Sequence, residues 1–130
     1  MLSFLNIQRF WLSSMTPTIV MEDGEVFLVT GSPGGSRIIT IVLQVIMNVI
    51  DHGMNIAAAT NAVRVHHQWV PDELMVEKGL NGDTIKLLTE KGHEIVITPA
   101  MGSTQSVMQI DGKFYGASDP RKPDALTLGY

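Results

Sequence analysis

The sequence predicts a layered domain of mixed α and β structure with largely antiparallel sheet. Two β-prone runs fold back on themselves, one at Asp23-Gly24 and one at Asp111-Gly112, where Asp-Gly supplies the positive φ angles of a tight hairpin turn. Between these hairpins, helical and extended patterns alternate, which places helices against sheet. The chain has 130 residues, 45% of them hydrophobic and 17% charged, so a single domain with its own core is expected.

The elements follow in order. TIVMEDGEVFLVT reads as the first hairpin. The glycine-rich Gly31-Ser32-Pro33-Gly34-Gly35-Ser36 then leads into a long helix for which Ser36 is the expected cap. Arg37, Thr40, Gln44, Asn48 and Asp51 fall three or four apart, giving one polar stripe on an otherwise apolar cylinder. Such a helix must be covered on most sides, and His52-Gly53 ends it. MNIAAATNAVRVHHQWV begins as a short Ala-rich helix and turns extended by Val63. PDELMVEKG reads as a short strand or edge segment. NGDTIKLLTEKGH is a helix capped by Asp83 and closed by Gly92, with Ile85, Leu87 and Leu88 as its apolar face. EIVITPA is a strand, STQSVMQIDGKFYGASDP the second hairpin, and RKPDALTLGY loop-like.

Composition excludes several classes of partner. A net charge of -4 without clustered Lys or Arg argues against a nucleic-acid surface. The longest apolar run, residues 38–50, is shorter than the ~20 residues of a membrane span. With no cysteine there is no disulfide, thiol nucleophile or Cys-based zinc site. MLSFLNIQRFWL is apolar but has no basic n-region or cleavage site, so it does not read as a signal peptide, and the compartment stays open.

The loop at residues 31–36 is where chemistry is expected. A strand that runs through glycines into a helix N-terminus leaves backbone N–H donors unpaired, which suits negative charge. The loop is neither G-x-G-x-x-G nor a Walker-type phosphate loop. Two readings stay open: an oxyanion hole, whose adjacent N–H groups stabilise a carbonyl oxygen under attack, and a plain tight connection. Ser13-Ser14 likewise reads either as a carboxylate-holding hydroxyl pair or as ordinary turn formers.

The blocks LSSMTPTIV, VTGSPGGSRI, HHQWVPDEL, AMGSTQSVM and YGASDPR, in this order, resemble the carboxy-terminal part of the small subunit of gamma-glutamyltransferases, also called gamma-glutamyl transpeptidases or glutathione hydrolases, of the enterobacterial type. The resemblance runs over residues 12–130, and residues 1–11 are expected to be a leader outside the family. It implies the four-layer αββα sandwich of N-terminal-nucleophile hydrolases, here incomplete. It implies γ-glutamyl transfer to water, amino acids or peptides, by an enzyme that cleaves itself into two subunits and attacks with the newly exposed threonine. Ser13 and Ser14 match the pair that binds the glutamyl α-carboxylate, and Gly34 and Gly35 match the oxyanion-hole glycines.

The resemblance also implies that the threonine-initiated segment and the large subunit are missing, so the chain is expected to be a truncated or frame-disrupted piece. Thr16, Thr18, Thr30 and Thr40 are internal and have no free α-amine to activate them. The alternative expectation is an inactive, self-associating remnant. Partners are then γ-glutamyl compounds such as glutathione, a large subunit or a second copy. Relatives are typically periplasmic in Gram-negative bacteria. No cofactor and no metal is expected: His66 and His67 point to opposite faces of a strand, and His52 and His93 sit at helix ends. Asp72-Glu73 reads as a cap, Asp119 with Arg121 as a surface bridge of little weight, and the eight methionines as core filler.

Overall fold

The computed structural model describes residues 14–129. Strands β1 (Thr18–Glu22) and β2 (Glu25–Gly31) form the first hairpin, and β6 (Gln105–Ile110) and β7 (Lys113–Ser118) the second. Both turns are built as the Asp-Gly pairs require, with φ of 49° and 86° at Asp23 and Gly24 and of 50° and 72° at Asp111 and Gly112. The hairpins join through β2 and β6 into one antiparallel sheet of order β1-β2-β6-β7.

Helices α1 (Ile38–Ile50) and α2 (Ile56–Asn61) cover one face of this sheet. Leu28, Met108 and Ala117 from the sheet meet Val45 and Val49 of α1 and Ile56 and Ala59 of α2 in the core. Each of the Leu, Met, Val and Ile side chains removed from water contributes ~1.5–3 kcal/mol. The opposite face of the sheet stays bare, with Ile19, Val29 and Val107 aligned across three strands and exposed.

A smaller sheet combines β3 (Val65–His67), β4 (Leu74–Glu77) and β5 (Ile95–Thr98) in the order β3-β4-β5. Of the two readings of PDELMVEKG, a short strand holds and an edge segment is corrected: β4 is the central strand, and Val76 and Glu77 are buried. The sheet is also mixed, because α3 (Gly82–Glu90) carries the chain back so that β5 runs parallel to β4.

Two caps differ from expectation. Ser36 does not cap α1; it lies inside a 3-10 turn (Gly35–Arg37), and its hydroxyl donates to Gln68 Oε1 at 2.6 Å. The α3 cap is Asn81, whose side chain accepts from the Asp83 amide at 2.8 Å, so Asp83 stands in the first turn instead. In α3 the residue with extended ψ and a free side-chain oxygen caps, two residues before the one expected, whereas α1 grows out of the 3-10 turn and has no side-chain cap. Gly53 (φ 62°) and Gly92 (φ 94°) end α1 and α3 as expected.

The polar stripe of α1 exists but faces inward. Thr40 shares a 2.7 Å hydrogen bond with His66 Nδ1, and the Gln44 amide both donates to Val65 O (2.8 Å) and accepts from Val65 N (2.9 Å). The side of α1 left in solvent is Ile39, Leu43, Met47 and Ile50. Methionine is only partly core filler: Met101 and Met108 are buried, whereas Met21, Met47 and Met54 are exposed.

Candidate functional site

The first hairpin brings the two expected site segments to one end of the sheet. Thr18 opposes Thr30, so the entry to β1 and the exit from β2 are neighbours. Their backbones touch there: a Cβ on Gly31 would lie 3.3 Å from Pro17 Cα. Ser14 is exposed and precedes this contact by three residues; Ser13 lies outside the described residues.

Beyond Gly31 the chain turns through two left-handed glycines, Gly34 (φ 149°) and Gly35 (φ 59°). Their carbonyls are engaged by the start of the helix: Gly34 O accepts from Arg37 N at 3.2 Å and Gly35 O from Ile38 N. Among the described residues, neither glycine amide donates a hydrogen bond, and neither belongs to a sheet ladder. A side chain at Gly34 would press on Ile41 Cδ1 at 3.2 Å, while Gly35 has open space around it. Two consecutive free donors on a loop of fixed shape are what an incoming oxyanion needs.

That shape is held from two sides. On one, Ser36 donates to Gln68, which lies just past β3. On the other, the buried Ser32 hydroxyl donates to Pro33 O (2.7 Å) and accepts from Ser103 N (3.1 Å).

Behind Ser103 lies a feature the sequence reading missed. Arg64, Glu77 and Asp119 are buried and, with the half-buried Arg121, form a four-charge cluster. Asp119 Oδ2 accepts from Arg64 Nη2 (2.6 Å) and the Thr104 amide (2.8 Å), and its Oδ1 from the Arg121 amide (3.0 Å) and Nη1 (3.1 Å). Glu77 accepts from Arg121 Nε at 2.7 Å, from Arg121 Nη2, from Met101 N at 2.6 Å and from Arg64 N at 3.0 Å. The expected surface bridge between Asp119 and Arg121 is thus corrected to part of an interior network, because β7 delivers Asp119 beneath the 101–104 loop, where it is fully buried.

Burial by itself raises both carboxyls. The hydrogen bonds that Asp119 accepts from Arg121, Thr104 and Arg64, and that Glu77 accepts from Arg121, Met101 and Arg64, hold them below the ordinary carboxylate range. Desolvation lowers Arg64, while Arg121, also desolvated, is raised by its bonds to Glu77 and Asp119. Two cations against two anions leave the cluster neutral, which is how it is tolerated indoors.

The other residues singled out from sequence are occupied structurally. Thr30 is buried and bonded to Ser106 at 2.8 Å, Thr18 donates to Thr16 O at 3.3 Å, and Thr40 is bound to His66. His66 is buried and His67 exposed, so they do face apart, and His67 pairs with Asp72 at 3.0 Å. Among the described residues, no group of three or more His, Asp or Glu has the arrangement of a metal site, and no helix is long and apolar enough to cross a membrane.

Comparison with known proteins decides the family. A model of the gamma-glutamyltranspeptidase family matches residues 5–128. This chain belongs to the gamma-glutamyltranspeptidase family. It is 65% identical over 120 residues to the glutathione hydrolase proenzyme of Escherichia coli K12, a match covering 92% of this chain and 21% of the proenzyme. The chain therefore spans about a fifth of the length of that curated relative. Among solved structures of the family it superposes on a Helicobacter pylori gamma-glutamyltranspeptidase T380A mutant with a TM-score of 0.82 and 52% identity, covering 91% of this chain and 66% of that one. For the Pseudomonas nitroreducens gamma-glutamyltranspeptidase complexed with L-DON the values are 0.84 and 35%, covering 97% and 67%.

Proposed function

We propose that this chain supplies one half of a γ-glutamyl acyl-transfer site, moving a γ-glutamyl group from glutathione-like donors to water, amino acids or peptides. The observation that carries the reading is the pair of unbonded amides at Gly34 and Gly35, on left-handed glycines, at the sheet end where Ser14 enters. In it, the two amides receive the oxyanion and the hydroxyls of Ser13 and Ser14 hold the donor's α-carboxylate. The attacking threonine comes from outside residues 12–130, since Thr16, Thr18, Thr30 and Thr40 are internal and lack a free α-amine, and the hydroxyls of the last three are engaged within the fold. Residues 12–130 are then part of the carboxy-terminal portion of the family's small subunit, and the family match already begins at residue 5. The bare face of the four-stranded sheet supports an incomplete αββα sandwich, with Ile19, Val29 and Val107 awaiting a second sheet.

The test is release of the aniline from a γ-glutamyl anilide, by the chain alone and after addition of the remaining family sequence. Turnover only in the mixture supports the proposal, and turnover by the chain alone would contradict it. A second reading, an inactive and self-associating remnant, is favoured by one observation: α1 carries Ile39, Leu43, Met47 and Ile50 in solvent. Light scattering on the purified chain, with oligomers and no recoverable activity, would select it.

A further inference from the structure

We infer that the 101–104 loop is the template that sets the 32–35 backbone, with Gly102 and the Ser32 hydroxyl as positioning residues for the Gly34 and Gly35 amides. The value of this to acyl transfer rests on the oxyanion reading above; the contact itself does not.

Both ends of the template are clamped. Met101 N donates to Glu77 Oε1 at 2.6 Å, and Met101 O accepts from Arg64 Nη1 at 2.7 Å. Thr104 N donates to Asp119 Oδ2 at 2.8 Å, and Thr104 O accepts from Asp119 N at 3.1 Å. All four backbone polar groups at the loop's ends are thus held by the buried charge cluster and its own backbone. Between them, Gly102 (φ 64°) presses into the 32–35 loop with no room for a side chain. A Cβ there would lie 2.6 Å from Ser32 Oγ, 2.6 Å from Ile41 Cδ1 and 2.9 Å from Pro33 O. Gly102 Cα is in turn 3.7 Å from where a Gly34 Cβ would stand. The third of those obstacles is backbone, so it yields only if the peptide before Gly34 moves. Ser103 N to Ser32 Oγ, at 3.1 Å, fixes the same two loops in register.

A loop bonded at both ends and laid against a glycine-rich one passes its own shape on by van der Waals contact, because packed backbones do not deform continuously. Gly34 and Gly35 alone lack that constraint, since glycine explores both signs of φ. Preorganisation of the two amides is therefore built from residues about 70 positions away in sequence.

The experiment uses the full 130-residue chain with 15N-labelled glycine. Gly102→Ala and Ser32→Ala are compared with Gly82→Ala, which adds the same methyl where nothing lies within 4 Å. The amide resonances of Gly34 and Gly35 are expected to shift or broaden in the first two variants and to stay in place in the third. Those of the hairpin glycines Gly24 and Gly112 stay in place in all three. In the complemented enzyme, Gly102→Ala is expected to lower kcat by about 10²-fold with KM unchanged, the loss of a preorganised oxyanion donor. Unmoved Gly34 and Gly35 resonances in folded Gly102→Ala and Ser32→Ala chains would overturn the inference. So would global unfolding of both variants, which would make the contact a determinant of the whole fold. Shifted resonances with unchanged kcat would leave the template intact and count against the oxyanion reading instead.

Discussion

Asp119→Asn is a nearly isosteric change that removes one charge from the buried cluster. Asp119 is fully buried, and both its oxygens are committed as acceptors: Oδ2 to Arg64 and Thr104, Oδ1 to the backbone and side chain of Arg121. An asparagine must turn its NH2 toward one of these donor pairs, so at least two hydrogen bonds are lost whichever way it flips. Two guanidinium groups then face Glu77 alone. Leaving a buried charge uncompensated costs ~3–5 kcal/mol. Against a total stability of ~5–15 kcal/mol this is a large fraction. For a domain of this size it corresponds to a fall in Tm of roughly 10–20 °C. Thermal and urea unfolding followed by circular dichroism measure it, with Glu90→Gln as control because Lys86 and Glu90 are exposed and 3.9 Å apart. A loss below ~1 kcal/mol for Asp119→Asn would refute the assignment of the cluster as an interior clamp.

Other outcomes follow from the same structure. Asp119 and Glu77 have folded pKa values below their unfolded ones, so their stabilisation is present above the unfolded carboxylate range, near pH 4, and is lost as pH falls through the folded values. Acid unfolding is therefore expected below about pH 4, and a pH series on Asp119→Asn should show a shallower dependence. Gly34→Ala forces a side chain to φ 149° and onto Ile41, at a cost of ~1–3 kcal/mol in chemical denaturation. In the complemented enzyme it should lower kcat about 10²–10³-fold. Leu43→Lys with Met47→Lys breaks up the exposed apolar side of α1 and should reduce self-association in light scattering. Its effect on unfolding free energy should stay within about 0.5 kcal/mol.

Local signals carried most of the architecture. Asp23-Gly24 and Asp111-Gly112 are turn chemistry read directly from residue type, and both hairpins stand where that chemistry put them. The three or four residue spacing of Thr40, Gln44 and Asn48 marked a true stripe, but periodicity does not tell which side is solvent, and here it faces β3 and α2. The parallel pairing of β4 and β5 depends on where α3 returns the chain, a long-range fact with no local mark. The charge cluster was illegible for a similar reason. Arg64, Glu77, Asp119 and Arg121 are scattered over 58 positions of an ordinary-looking sequence, and only the fold collects them. At the candidate site, both readings of the loop stayed open and Gly34 and Gly35 were singled out by the family resemblance, because glycines between a strand and a helix have ordinary structural uses. Gly102 was passed over because one glycine in AMGST has many.

The most direct measurement mixes the purified chain with the rest of the Escherichia coli glutathione hydrolase proenzyme sequence and follows release of the aniline from a γ-glutamyl anilide. If residues 34 and 35 furnish the oxyanion donors, neither component turns over alone, the mixture does, and Gly34→Ala in this chain removes most of the rate. Equal rates with wild-type and Gly34→Ala chains, in a mixture shown to be assembled, would contradict it.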